Sequence, residues 1–139
     1  MDATIPDQES DQSADIVLAD VPCSGLGVIR KKQDIKYKMS PARQAELVRL
    51  QRRILHVSSS YVKPGGVLIY STCTIGAEEN QNNIKWFLDY FPYRLESIDP
   101  YVCPDLRCAT TAGGYIQLLP GVHETDGFFI ARLRRLENV

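Results

Sequence analysis

Two cysteines of this sequence stand directly behind short apolar runs. Cys23 follows Ile16-Val17-Leu18-Ala19 through Asp20-Val21-Pro22, and Cys73 follows Val67-Leu68-Ile69-Tyr70 through Ser71 and Thr72. If both runs are neighbouring parallel strands of an open α/β sheet, the two thiols and the Asp20 carboxylate emerge at its carboxyl edge, where such sheets bind ligands. That set is equipped for covalent chemistry: a thiolate adds to an electron-poor carbon, and a second group then moves protons or assists elimination. A free thiol has a pKa near ~8.5, so the attacking cysteine needs a positive, dipolar or proton-accepting neighbour. Cys103 and Cys108 are expected to be small buried hydrophobes, the common fate of a free cysteine. There is no Cys-x-x-Cys pair, and His56 and His123 are distant from the cysteines in sequence, which disfavours both a zinc site and a dithiol redox protein.

The elements that must position these groups are legible in outline. Residues 1–14 are polar without apolar periodicity and read as loop or linker, leading into a strand over 15–20 buried on both faces. Ser40-Pro41 supplies a cap and a first-turn proline, and Leu47, Leu50, Ile54, Val57 and Tyr61 follow at helical spacing. That helix runs to about Val62 and is ended by Pro64-Gly65-Gly66, before a second buried strand over 67–72. Strand, helix, strand is a crossover unit that returns to the same sheet, so the strands should be parallel neighbours, with the sulfurs of Cys23 and Cys73 within roughly a nanometre.

A further helix is expected from near Ala77, with Glu78 and Glu79 in its first turn and Ile84, Phe87, Leu88 and Phe91 inward, stopped by Pro92. Tyr93 to Ile98 reads as a strand, 99–113 as irregular, and Tyr115 to Leu119 and Phe128 to Leu133 as strands. In the last of these Phe129, Ala131 and Leu133 alternate with polar neighbours.

At 139 residues, 44% hydrophobic and 24% charged, the chain has enough apolar material for one ordinary globular core. No apolar stretch approaches the ~20 residues that span a bilayer, and no signal peptide is seen at the start, so a cytoplasmic location and no membrane partner are expected. The net charge of −1 argues for no nucleic acid, but its distribution does: the acidic first twenty residues are followed by Arg30, Lys31, Lys32, Lys36 and Lys38. Arg43, Arg49, Arg52 and Arg53 read instead as the solvated face of the long helix.

Three segments carry a family resemblance. DVPCSGLGVIRKKQDIKY (20–37) resembles the proline-cysteine motif of Sun/RsmB-type ribosomal RNA (cytosine-5) methyltransferases, YSTCTIGAEEN (70–80) their threonine-cysteine motif, and GGYIQLLPGVHETDGFF (113–129) their closing motif. They cover about a third of the chain in the family's order. The resemblance implies a Rossmann-like α/β methyltransferase sheet with flanking helices, S-adenosylmethionine as cofactor and ribosomal RNA as partner. It implies Cys73 as the nucleophile that adds to carbon-6 of a cytosine and Cys23 as the thiol serving release. Asp20 would hold the cytosine edge and, with Pro22 and Asp2, border the cofactor. Arg30, Lys31, Lys32 and Lys36 would neutralise phosphates beside the target base. Gly25 and Gly27 would let the loop approach the base, and His123, Asp126 and Gly127 would shape the pocket.

The resemblance also implies something this chain does not carry. Such enzymes hold the cofactor with a glycine-rich loop after their first strand and an acidic residue after their second. Neither is found, and Asp2-Ala3 resembles the family's third motif, so only the carboxy-terminal half of the catalytic domain is expected here, inactive without its amino-terminal half. A non-catalytic RNA-binding or assembly module that kept the fold is the alternative.

Overall fold

The computed structural model describes residues 2–25 and 40–137. After a single 3-10 turn at Gln8–Ser10, strand β1 (Ala14–Asp20) enters the sheet. Helix α1 (Pro41–Tyr61) begins where the sequence signals it: the Ser40 hydroxyl accepts the Arg43 amide at 3.2 Å, and Pro41 costs no hydrogen bond in the first turn. Strand β2 (Val62–Thr72) follows, then α2 (Gln81–Tyr90), β3 (Tyr93–Leu95), the short α3 (Ala109–Gly113), β4 (Tyr115–Leu118) and β5 (Phe128–Arg135).

The sheet runs β1-β2-β5-β3, with β4 also paired to β5. β1 and β2 are parallel neighbours, Ile16 opposite Val67 and Asp20 opposite Ser71, as the crossover requires. β5 runs antiparallel to β2, with Phe129 opposite Thr72. The core lies on the face formed by Ala19, Leu68, Tyr70, Phe129, Ala131 and Leu133, against Ile54 and Leu55 of α1 and Ile84 and Phe87 of α2. Among the described residues no helix is long and apolar enough to cross a membrane.

Several expectations need correction. β1 is covered on one face only: it is the edge strand, and Ile16 and Leu18 on the alternate face are 65% and 66% exposed. The Pro64-Gly65-Gly66 turn does not end α1. It lies within β2, where Val62 already pairs with Ala14 and the intervening residues bulge before Val67 meets Ile16. A Cβ on Gly66 would stand 2.8 Å from the Asp15 carbonyl, which explains why no side chain fits there.

The buried arc of α1 is also wider than its apolar stripe. Gln51, Leu55, Ser58 and Ser59 are buried beside Ile54 and Val57, while Leu47, Leu50 and Tyr61 are only half-buried. Helix α2 starts at Gln81 rather than near Ala77, because Glu79 and Asn80 use their side chains in tertiary hydrogen bonds and Asn80 has non-helical backbone angles. β3 ends at Leu95, not Ile98, whose amide turns to the Thr111 carbonyl at 2.9 Å. Residues 99–113 contain two 3-10 turns besides α3.

Candidate active site

The carboxyl ends of β1 and β2 bring the cysteines together. The Val21 amide donates to the Ser71 carbonyl at 3.1 Å, carrying the parallel pairing one residue past β1 before Pro22 turns the chain. Cys73 is the first residue after β2. The two sulfurs lie 3.0 Å apart, and both residues are half-buried free thiols. Burial, and next the contact with Cys73, push the Cys23 thiol up to about 12. Either sulfur can be the donor in this contact.

Adjoining the sulfurs lies a polar network whose central side chains are fully buried. The Glu79 carboxylate accepts from the Ser24 amide at 2.8 Å, the Ser24 hydroxyl at 2.7 Å and Gln51 Nε2 at 2.9 Å. The same Gln51 nitrogen donates to the Pro22 carbonyl at 2.8 Å. On the Cys73 side, Asn80 accepts from the Thr72 hydroxyl at 2.6 Å and donates to the Thr74 carbonyl at 3.0 Å and to Gln117 Oε1 at 2.6 Å. Asn83 donates to Gln51 Oε1 and to the Tyr70 hydroxyl, joining the two halves. Gln51, Glu79, Asn80 and Asn83 are fully buried, so each of these bonds satisfies a group that would otherwise be costly to desolvate.

The other residues singled out in the sequence divide. Asp20 is exposed at the strand end and accepts from the Ser71 hydroxyl at 2.8 Å; Pro22 is exposed beside it. Asp2 is exposed and tied locally: the Thr4 hydroxyl and amide donate to its carboxylate at 2.6 and 2.9 Å and hold it below the usual carboxylate range. Gly25 adopts φ +73°, the left-handed turn its lack of a side chain permits. Arg30, Lys31, Lys32 and Lys36, with Gly27 and Lys38, lie outside the described residues. His123 Nδ1 accepts the Leu119 amide at 3.0 Å and fixes the turn after β4.

Cys103 and Cys108 are exposed, contrary to expectation, because they flank the 3-10 turn Pro104–Leu106 rather than facing the sheet core. The Thr110 hydroxyl and the Thr111 amide bring the Cys108 thiol down to about 7. Of the arginines on α1, Arg52 is engaged: it donates to Asn83 Oδ1 at 3.0 Å and lies over the Trp86 ring.

Ser24, Gln51, Thr74, Asn83 and Gln117 were not singled out by the sequence reading. One signal was available: Gln51 interrupts the inward arc of α1 three residues before Ile54, and a polar residue there needs a buried partner.

The mixed α/β sheet flanked by helices is shared with solved methyltransferase structures and is of their Rossmann-like class. The chain belongs to the 16S rRNA methyltransferase RsmB/F family, which matches residues 1–134. It is 36% identical over 138 residues to ribosomal RNA small subunit methyltransferase F of Cronobacter sakazakii, covering 99% of this chain and 28% of that protein. It is 39% identical over 122 residues to a probable ribosomal RNA small subunit methyltransferase B of Synechocystis, covering 87% of this chain and 27% of that protein. Among solved structures, NSun6 from Pyrococcus horikoshii with SFG superimposes with a TM-score of 0.75 at 28% identity, covering 99% of this chain and 34% of that one. A methyltransferase homolog protein from Pyrococcus horikoshii gives 0.69 at 36% identity, covering 88% of this chain and 39% of that one. The chain thus spans little more than a quarter of the curated relatives it matches.

Proposed function

We propose that this chain is the carboxy-terminal part of a cytoplasmic S-adenosylmethionine-dependent enzyme that methylates carbon-5 of a cytosine in small-subunit ribosomal RNA. The observation that carries the reading is the pair of sulfurs 3.0 Å apart at one strand edge. Two thiols so placed reach one pyrimidine ring and divide the work. The Cys73 thiol gives its proton to solvent, and the resulting thiolate attacks carbon-6 and pushes electron density to carbon-5. S-adenosylmethionine, when bound, supplies the methyl group that carbon-5 takes. A solvent base then takes the carbon-5 proton, its electron pair re-forms the double bond between carbon-5 and carbon-6, and Cys73 leaves carbon-6 as a thiolate to which the Cys23 thiol can donate a hydrogen bond.

Asp20, Pro22 and Asp2 are the residues of this chain that would border the cofactor. They suit an edge and no more: two exposed carboxylates able to accept from hydroxyl or amino groups, and an exposed ring. The glycine loop expected to hold the rest of the cofactor belongs to the amino-terminal part of the parent polypeptide. The bare apolar face of β1 and the coverage of a quarter of each relative support that division. Arg30, Lys31, Lys32 and Lys36 take the RNA phosphates.

Methyl-labelled S-adenosylmethionine and small-subunit ribosomal RNA, incubated with the parent polypeptide and with this chain alone, test the proposal. Label in 5-methylcytidine with the parent and none with the chain alone is expected. Label at another position, or no transfer by the parent, contradicts it.

A further inference from the structure

Cys73 directly follows Thr72, the last residue of a strand that pairs with β1 on one side and β5 on the other. Cys23 lies beyond β1 in the loop that Pro22 opens, where the backbones of Gly25 and Cys73 meet its sulfur. The residues on either side of it are gripped as well. On one side the Pro22 carbonyl accepts from Gln51 Nε2 at 2.8 Å. On the other the Ser24 amide and hydroxyl both donate to the Glu79 carboxylate, at 2.8 and 2.7 Å. Gln51 and Glu79 are in turn joined at 2.9 Å. A single buried pair, one residue from α1 and one from the turn before α2, thus holds both neighbours of Cys23 and touches neither sulfur.

We propose that Glu79, braced by Gln51, is a positioning residue that holds Cys23 at the Cys73 sulfur and so controls release of the methylated RNA. The proposal rests on the reading above that Cys23 serves release. The acceptor count supports a dedicated clamp. The Ser24 amide and Gln51 Nε2 converge on one carboxylate oxygen and the Ser24 hydroxyl takes the other, so among the described residues the carboxylate meets the loop next to Cys23. A neutral Glu79→Gln side chain can keep the same set. Its oxygen accepts from Ser24 and Gln51, and its amide donates to the Ser24 hydroxyl, whose proton turns to Thr74 Oγ1 at 2.7 Å. Glu79→Ala keeps none of it.

The experiment measures turnover and denaturant-stable RNA adduct together, in the parent polypeptide with ribosomal RNA and labelled S-adenosylmethionine. Cys23→Ala and Cys73→Ala are run alongside. Misplacement of a reacting group by about 1 Å costs on the order of 100-fold. Glu79→Ala should therefore lose about that in turnover while adduct accumulates as it does in Cys23→Ala, and Glu79→Gln should recover turnover and clear the adduct. A merely structural role predicts that adduct and turnover fall in parallel, and that result, or a Glu79→Ala enzyme that turns over like the parent, overturns the proposal. If Cys23→Ala traps no adduct, the release reading has failed. The clamp is then judged on whether Glu79→Ala still reproduces the Cys23→Ala behaviour, whatever it is. Should Glu79→Ala not fold, Glu79→Asp, which draws the carboxylate back from Ser24, and Ser24→Ala decide by the same split.

Discussion

The bare face of β1 gives a prediction whose size follows from the structure. Ile16 and Leu18 are 65% and 66% exposed, so about a third of each side chain is removed from water. Full burial of such a side chain stabilises by ~1.5–3 kcal/mol, so ~0.5–1 kcal/mol each is realised here and ~1–2 kcal/mol each awaits a covering layer. Replacing both by threonine keeps strand propensity while removing apolar surface. In the 139-residue chain the double variant should cost about 1–2 kcal/mol, and in the parent polypeptide about 3–6 kcal/mol if the proposed amino-terminal part packs on this face. Urea unfolding of both proteins, with and without the substitutions, gives the two differences by linear extrapolation. Equal losses in the two contexts would refute the claim that the rest of the domain covers β1.

Three further outcomes are expected. Cys108, exposed with its thiol near about 7, should be the thiol of the native chain that iodoacetamide labels fastest at neutral pH, and Thr110→Ala should slow it; mass spectrometry of the labelled peptides reads both, and faster labelling of Cys23 contradicts the reasoning. The Arg134 and Arg132 guanidinium groups, each 2.8 Å from Glu96, hold that carboxyl below its ordinary range, so the stability they give is complete above the unfolded carboxylate pKa and lost as pH falls through the lower folded value. Melting temperatures of the native chain and Glu96→Gln should therefore converge between pH 7 and pH 3, and a constant gap would refute the pairing. Replacing Arg30, Lys31, Lys32 and Lys36 in the parent should weaken ribosomal RNA binding and flatten its salt dependence; an unchanged slope returns them to a solvated loop.

The residues that frame the site were legible because local chemistry governs them. Ser40 and Pro41 cap a helix wherever an apolar stripe follows, and two apolar runs joined by one helix must lie parallel, which alone brings Cys23 near Cys73. What escaped was decided by distant partners. Glu79 reads as a first-turn helix residue until Ser24 and Gln51 are seen to claim it, and that claim also delays α2 to Gln81. The exposure of Cys103 and Cys108 depends on which segment the sheet leaves uncovered, and no local pattern encodes it. β1 has the composition of a strand buried twice, yet it is the sheet's edge strand with Ile16 and Leu18 exposed, a placement that its own residues do not encode.

The division of labour between the two sulfurs is the central claim, and adduct trapping in the parent polypeptide tests it most directly. Each cysteine is replaced by alanine in turn, the enzyme is incubated with ribosomal RNA and S-adenosylmethionine, and protein-RNA species are resolved under denaturing conditions. Cys73→Ala should give neither methylation nor adduct, since no thiolate reaches carbon-6. Cys23→Ala should form the adduct and hold it, with turnover reduced. A stable adduct in Cys73→Ala and none in Cys23→Ala would reverse the roles assigned to the two thiols.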